Sequence, residues 1–256
     1  MHLKDEGVIL NSHDSGGSDR IVVIFLKNTG KTSFVFKGIK KSKSRKLNSD
    51  DLGNHVEILY RKKNADQLPY IQEIKVRDHF YNIKKDHIKF LYLNCLAELF
   101  MNILPAQEGN LKVFNFLLKA LMTLKRIQHQ ELEKFMVYIQ YRLVQVSGIL
   151  PDFKSCSHCH KEEDDLVYRL HFNELSCQKC HTIQDDLNIR ISRKFIKMID
   201  SINRHNIDKI EDLSIDKELI KIMDKVFKNI IIKYLNKELR SYKILQTILK
   251  DIGYKL

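Results

Sequence analysis

Ile21-Val22-Val23-Ile24-Phe25-Leu26, then Asn28-Thr29-Gly30, then Thr32-Ser33-Phe34-Val35-Phe36: this stretch decides the fold of the first part of the chain. The opening six residues form a continuous apolar run rich in β-branched side chains, as a buried strand does. Asn28-Thr29-Gly30 supplies turn chemistry, with Gly30 able to take positive φ. A second strand follows over Thr32 to Ile39, with Phe34 and Phe36 on one face. The triplet Gly30-Lys31-Thr32 imitates the end of a phosphate-binding loop. That motif needs a glycine five positions before Gly30, where Phe25 stands. A hairpin turn explains the triplet.

Outward from this hairpin the same chemistry repeats. Val8-Ile9-Leu10 is a short apolar run, followed by a polar, glycine-containing turn over Ser12 to Ser18. Val56 to Tyr60 and Tyr70 to Val76 read as two further strands around Lys62-Lys63-Asn64-Ala65-Asp66. Short strands linked by turns and one longer loop predict a five-stranded OB-type barrel over residues 1–80. After Asp78 the apolar period shifts to about 3.6. Ile88 to Leu104 reads as a helix stopped by Pro105. Leu111 to Ile127 reads as a second, with Leu111, Phe114, Leu117, Leu118, Leu121 and Leu124 on one side. Gln130 to Ser147 reads as a third, ended by Gly148 with Pro151 beyond. Ser192 is an N-cap candidate, and Lys217 to Lys250 reads as long and helical. The expected fold class is α+β: the barrel, then a helical domain over 81–256 with a metal-binding insertion at 153–183.

Composition fits a folded chain. Of 256 residues, 43% are hydrophobic, with 9 Gly and 3 Pro, which excludes a disordered polyelectrolyte and low-complexity sequence. Lys and Arg total 44 against 32 Asp and Glu, leaving +12, a balance that suits a polyanionic partner such as nucleic acid or a membrane surface. Most of the basic residues are Lys, and Ile and Asn are abundant, as AT-rich coding alone would produce. The placement of charge therefore matters more than its total. Met1-His2-Leu3-Lys4-Asp5-Glu6 has no basic-then-apolar leader pattern. The longest apolar stretch, Phe90 to Leu104, holds Glu98, Asn94 and Asn102 and is too short and polar to span a bilayer. The expectation is a soluble intracellular protein without membrane contact.

Cys156-Ser-His-Cys159 and Cys177-Gln-Lys-Cys180 are paired units separated by seventeen residues. Two residues between thiols let one turn present both sulfurs to a single ion, and four thiolates close a tetrahedron. The expected cofactor is one structural Zn2+; an iron–sulfur cluster uses the same donors. His158, His160 and His181 stand beside the thiols and read as exposed or supporting groups. Cys95 reads as a small core side chain.

Lys37, Lys40, Lys41, Lys43, Arg45 and Lys46 fall within ten residues that hold no acid. Gly38, Ser42 and Ser44 interleave them, which favours an extended, adaptable loop able to meet phosphate. Beside an OB barrel such a loop points to nucleic acid, with Phe34, Phe36, Tyr60 and Tyr70 as candidate stacking aromatics, each also suited to the barrel core. There is no G-x-G-x-x-G, H-E-x-x-H or G-x-S-x-G, so nothing supports an enzyme. A zinc-ribbon RNA-binding or transcription-associated module is the alternative to a DNA-binding protein.

Taken in order, several segments resemble the RecO family of bacterial recombination mediators. Glu6-Gly7-Val8-Ile9-Leu10 resembles its first strand, and Gly17-Ser18-Asp19-Arg20-Ile21-Val22 its entry to the second. Lys37-Gly38 through Lys43-Ser44-Arg45 resembles its basic loop. Gly148-Ile149-Leu150-Pro151-Asp152, leading to Cys156 and Cys159, is similar to its approach to the zinc knuckle. Tyr234-Leu235 and Leu239-Arg240-Ser241-Tyr242-Lys243 match a weaker C-terminal pattern. The chain departs from the family at His160, where Gly is frequent after the second Cys. It departs again at Asn173-Glu174, which replaces a glycine-containing turn.

The resemblance implies binding to single- and double-stranded DNA, annealing of complementary strands, and work with RecR. Together with RecR, such proteins load RecA onto DNA coated by single-strand binding protein, in the cytoplasm at the nucleoid. DNA contact carries over to Lys37, Lys40, Lys41, Lys43 and Arg45, with Arg20 and Lys31 as candidates beside them. The helical domain is the implied dock for the acidic tail of single-strand binding protein, near Lys233, Lys237, Arg240 and Lys243.

Overall fold

The computed structural model describes residues 2–41, 48–62, 64, 67–163, 165–180 and 188–251. Backbone contacts divide the chain into two compact units, one running to Arg126 and including the last helix, the other spanning Ile127–Leu239.

In the first unit five strands close a barrel: β1 (His2–Asp14), β2 (Arg20–Leu26), β3 (Gly30–Phe36), β4 (His55–Arg61) and β5 (Tyr70–Asp78), in the order β1-β2-β3-β5-β4. β1 serves both neighbours. Its first half pairs antiparallel with β4, from His2 opposite Arg61 to Val8 opposite His55. Its second half pairs with β2, and a register shift between Ile9 and Asn11 marks a bulge that bends the strand. A single parallel pair, Val35 with Tyr70, joins β3 to β5 and completes the OB-type ring. Ile9, Val22, Ile24, Phe34, Phe36, Val56, Ile58 and Tyr60 fill the interior.

The apolar run of β2 is continuous because both faces are covered. Val22 and Ile24 point into the barrel, while Phe25 packs edge-on against Phe100, ring centroids 6.3 Å apart. Phe100 lies on α2 (His87–Ile103), which follows the short α1 (Tyr81–Lys85). The Asp86 carboxylate accepts from Ile88 N and Lys89 N and so starts α2. α3 (Leu111–Arg126) completes this layer. Gly30 (φ 71°) and Gly109 hold the β2–β3 turn against the loop before α3. A Cβ on Gly30 would collide with the Glu108 carbonyl, and one on Gly109 with the Asn28 carbonyl. The buried Asp5 carboxylate fastens the same turn, accepting from Asn28 Nδ2 at 2.9 Å and Asn28 N at 3.3 Å.

The second unit is built on α4 (Leu132–Val146), α5 (Arg193–Arg204) and α6 (Lys217–Leu235). Tyr141, Phe153, Phe195 and Phe227 form one aromatic cluster in its core. Between α4 and α5 runs a three-stranded sheet, β6 (Leu166–Arg169), β7 (Glu174–Ser176) and β8 (Asn188–Ile191), in the order β7-β6-β8.

Four local expectations are corrected. β1 reaches from His2 to Asp14, so the turn begins at Ser15 and not at Ser12. β3 ends at Phe36, and Ile39–Lys41 is a single 3-10 turn instead of extended chain, with Ile39 in the barrel core. Lys217 to Lys250 is two helices, α6 and α7 (Arg240–Asp251), because Asn236 takes the left-handed conformation at φ 50°. The three strands around the cysteines are an addition. Glu98 caps α7 from α2: its carboxylate accepts from Arg240 N at 2.9 Å and Ser241 N at 2.8 Å.

Candidate nucleic-acid interface and metal centre

The basic stretch begins where β3 ends, and its flanks are tied to the β1–β2 hairpin. On the near side Gly38 N donates to Asp19 Oδ1 at 2.8 Å, and Lys40 N to the Ser18 carbonyl at 3.2 Å. On the far side the buried Asp50 carboxylate accepts from Arg20 Nη1 at 2.8 Å and Ser12 Oγ at 2.5 Å. Asn54 Nδ2 donates to the carbonyls of Asn48 and Ser49. Asp14 connects the two sides, 3.2 Å from Arg20 Nε and 2.7 Å from Lys40 Nζ. Lys40 first and Arg20 second hold the Asp14 carboxyl below the ordinary carboxylate range.

The candidate cations therefore occupy different surroundings. Lys41 is exposed. Lys37 is exposed and places its ammonium 5.4 Å from the Tyr70 ring centroid. Lys40 and Arg20 are engaged by Asp14 and Asp50. Lys31 points into the protein, donating to the carbonyls of Met101 at 2.5 Å and Leu104 at 2.6 Å at the end of α2. Lys43, Arg45 and Lys46 lie outside the described residues. Of the candidate aromatics, Phe34, Phe36 and Tyr60 are buried in the barrel.

The cysteines converge. The ligand sulfurs of Cys156, Cys159, Cys177 and Cys180 all lie within 4.8 Å of one another. Cys159 Sγ and Cys177 Sγ are 3.9 Å apart, close to the edge of about 3.8 Å implied by Zn–S bonds of about 2.3 Å in a tetrahedron. The β6–β7 hairpin brings the two pairs together, with Ser157 N donating to the Leu175 carbonyl at 2.8 Å and Leu175 N to Ser157 Oγ at 3.1 Å. Asp152 shapes the approach, accepting from Lys154 N at 3.0 Å and Ser155 Oγ at 2.7 Å. The two departures from the resembling family fall at left-handed positions, His160 at φ 57° and Asn173 at φ 56°. His and Asn tolerate that region better than most side chains, so the turns keep their shape without glycine.

The sulfurs also constrain one another electrostatically. Burial opposes ionisation of Cys156, but the backbone N–H groups of Cys159, Cys177 and His158 outweigh it and bring the thiol to about 6. The Cys177 sulfur, burial and the remaining sulfurs push Cys180 up to about 12. A closed four-sulfur shell leaves no position for substrate. His158 turns away to Glu174 at 3.1 Å, and His181 lies outside the described residues. The hairpin is anchored by Tyr168, whose hydroxyl donates to Asn173 and accepts from Asn229 Nδ2 of α6 at 3.0 Å; burial pushes this phenol up to about 12. None of the described helices is long and apolar enough to cross a membrane.

Residues 1–80 match the family model Recombination protein O N terminal, and residues 84–243 match Recombination protein O C terminal. The chain is 26% identical over 238 residues to the DNA repair protein RecO of Alkaliphilus metalliredigens, covering 93% of this chain and 95% of that one. It is 29% identical over 233 residues to the DNA repair protein RecO of Thermodesulfovibrio yellowstonii, covering 90% and 92%.

Proposed function

This chain belongs to the RecO family of DNA repair and recombination proteins, non-enzymatic mediators, and from that premise we propose that it binds single- and double-stranded DNA and anneals complementary strands. With RecR it helps to load RecA onto DNA coated by single-strand binding protein, in the cytoplasm at the nucleoid. The observation that carries the reading is the acid-free basic stretch, braced at both flanks on the rim of the closed barrel. Bracing matters because a cationic segment held to a rigid rim loses less conformational entropy when it meets phosphate.

The mechanism is charge neutralisation. Two strands repel each other; cations that replace their counterions hold them together while leaving base edges free to pair. Lys37 and Lys41 make the first phosphate contacts, joined by Lys43, Arg45 and Lys46. Lys40 and Arg20 contribute by exchanging Asp14 for phosphate. Lys31, directed at backbone carbonyls, supports the barrel instead. One Zn2+ held by Cys156, Cys159, Cys177 and Cys180 fixes the β6–β7 hairpin and takes no part in chemistry. The acidic tail of single-strand binding protein docks on the helical part of the chain, with Arg240 and Lys243 of α7 as the basic candidates. Fluorescence-monitored annealing of complementary oligonucleotides, with and without single-strand binding protein, tests this reading.

A further inference from the structure

An aromatic outside the barrel is built differently from the buried Phe34, Phe36 and Tyr60. Tyr81 is 50% exposed and stacks on His79, ring centroids 4.7 Å apart and planes 18° apart. Among the described residues no other ring lies against it. The turn that presents it is strained. Phe80 sits at φ 49°, ψ 41°, a left-handed conformation costly for a bulky side chain. Asp78 Oδ1 fixes the turn by accepting from Phe80 N at 2.7 Å. Phe80 is thereby driven inward, to 1% exposure, and its neighbour Tyr81 outward. Packing accounts for the buried Phe80, but it does not require its neighbour Tyr81 to stand half-exposed.

One exposed cation shares the ring's side of the helix. Lys85 is four residues on, on the same face of α1. Lys125 reaches Asp78 at 3.2 Å and lies 5.6 Å from the Phe80 ring centroid. Lys84 turns inward instead, to Asn54 Oδ1 at 2.6 Å. The arrangement is a π-face with one ammonium group, that of Lys85, on its helix face, which suits a base and its phosphate. It stands at the far end of β5 from the basic stretch. Tyr70, beside Lys37, begins that strand and Asp78 ends it, so at about 3.3 Å per residue the two places are roughly 25 Å apart.

The geometry points to Tyr81, backed by His79 and with Lys85 on the same helix face, as a stacking platform for an unpaired base of single-stranded DNA. This rests on the DNA-binding reading and adds a preference to it, because a duplex keeps its base faces stacked. The chain has no tryptophan, so Tyr81→Trp introduces a single indole that reports contact at this position. The full-length variant is titrated with a thymidine oligonucleotide and with the same oligonucleotide in duplex, while anisotropy of labelled DNA records binding itself. Saturable quenching by the single strand and none by the duplex is expected. Tyr81→Ala is expected to weaken single-strand binding about five- to hundred-fold and to leave duplex binding within about two-fold. Unchanged indole emission while anisotropy shows single-strand binding overturns the platform and leaves DNA binding standing. No anisotropy change with either DNA overturns both.

Discussion

Arg20 and Asp50 form a 2.8 Å ion pair that ties the second barrel strand to the chain just beyond the basic stretch. The pair is asymmetric: Asp50 is buried while the Arg20 side chain is 34% exposed. Arg20 also holds Asp14, which holds Lys40, so one arginine links both sides of the stretch. Asp50→Ala leaves Ser12 and Arg20 without their shared acceptor. The expected cost is about 2 kcal/mol in urea unfolding, with faster tryptic cleavage after Lys40 and Lys41. Unaltered stability and cleavage would show that the bracing is not needed.

The Asp14 carboxyl titrates below its ordinary 3.8 because Lys40 and Arg20 favour its charged form. A depressed acid contributes stability above the ordinary value and loses it as pH falls through the depressed one. NMR titration of the Asp14 side chain should therefore give a midpoint under 3.8. A midpoint at or above it would mean that the ion pairs do not persist in solution.

Lys31 and Lys41 should part company in mutation. Lys31→Met removes the donor to the Met101 and Leu104 carbonyls, so thermal stability falls, by about 1–2 kcal/mol, and the salt dependence of DNA binding stays unchanged. Lys37→Glu with Lys41→Glu should leave stability alone. On single strands the double variant should flatten the slope of log affinity against log salt by about 0.7 for each phosphate no longer neutralised. If Lys31→Met flattened the slope instead, its ammonium would be a phosphate ligand.

The metal centre is checked by elemental analysis of the purified chain. One zinc per chain is expected, and Cys156→Ser should lose it and lower the melting temperature. Iron with visible absorption would assign an iron–sulfur cluster to the same sulfurs. A metal-free protein with unchanged melting would remove the centre.

The barrel strands were legible because their apolar residues are dense or alternate, as in Ile21 to Leu26 and Phe34 to Phe36. β1 was legible only at Val8 to Leu10, because its first half mixes polar and charged residues without a clear apolar pattern and its last residues, from Ser12, read as turn. Asp5 was missed for a related reason: a carboxylate reads as surface until the loop it fastens is seen against it. The sulfur cluster was legible from spacing, since each pair needs only one turn. The hairpin that joins the pairs was not, because strands of four and three residues leave too short a pattern. The basic stretch was visible as charge, whereas the Asp14 and Asp50 ties and the inward course of Lys31 depend on contacts between distant residues. Asn236 breaks the last helical run through its backbone conformation, and apolar periodicity on both sides hides it.

Annealing of complementary strands tests the central claim most directly. Two oligonucleotides carrying donor and acceptor dyes are mixed with the chain, first bare and then coated with single-strand binding protein. The expected result is faster annealing than the protein-free rate in both arms, suppressed by rising salt and by Lys37→Glu with Lys41→Glu. Annealing at the protein-free rate in both arms, or a preference for structured RNA with no annealing of DNA, would contradict it.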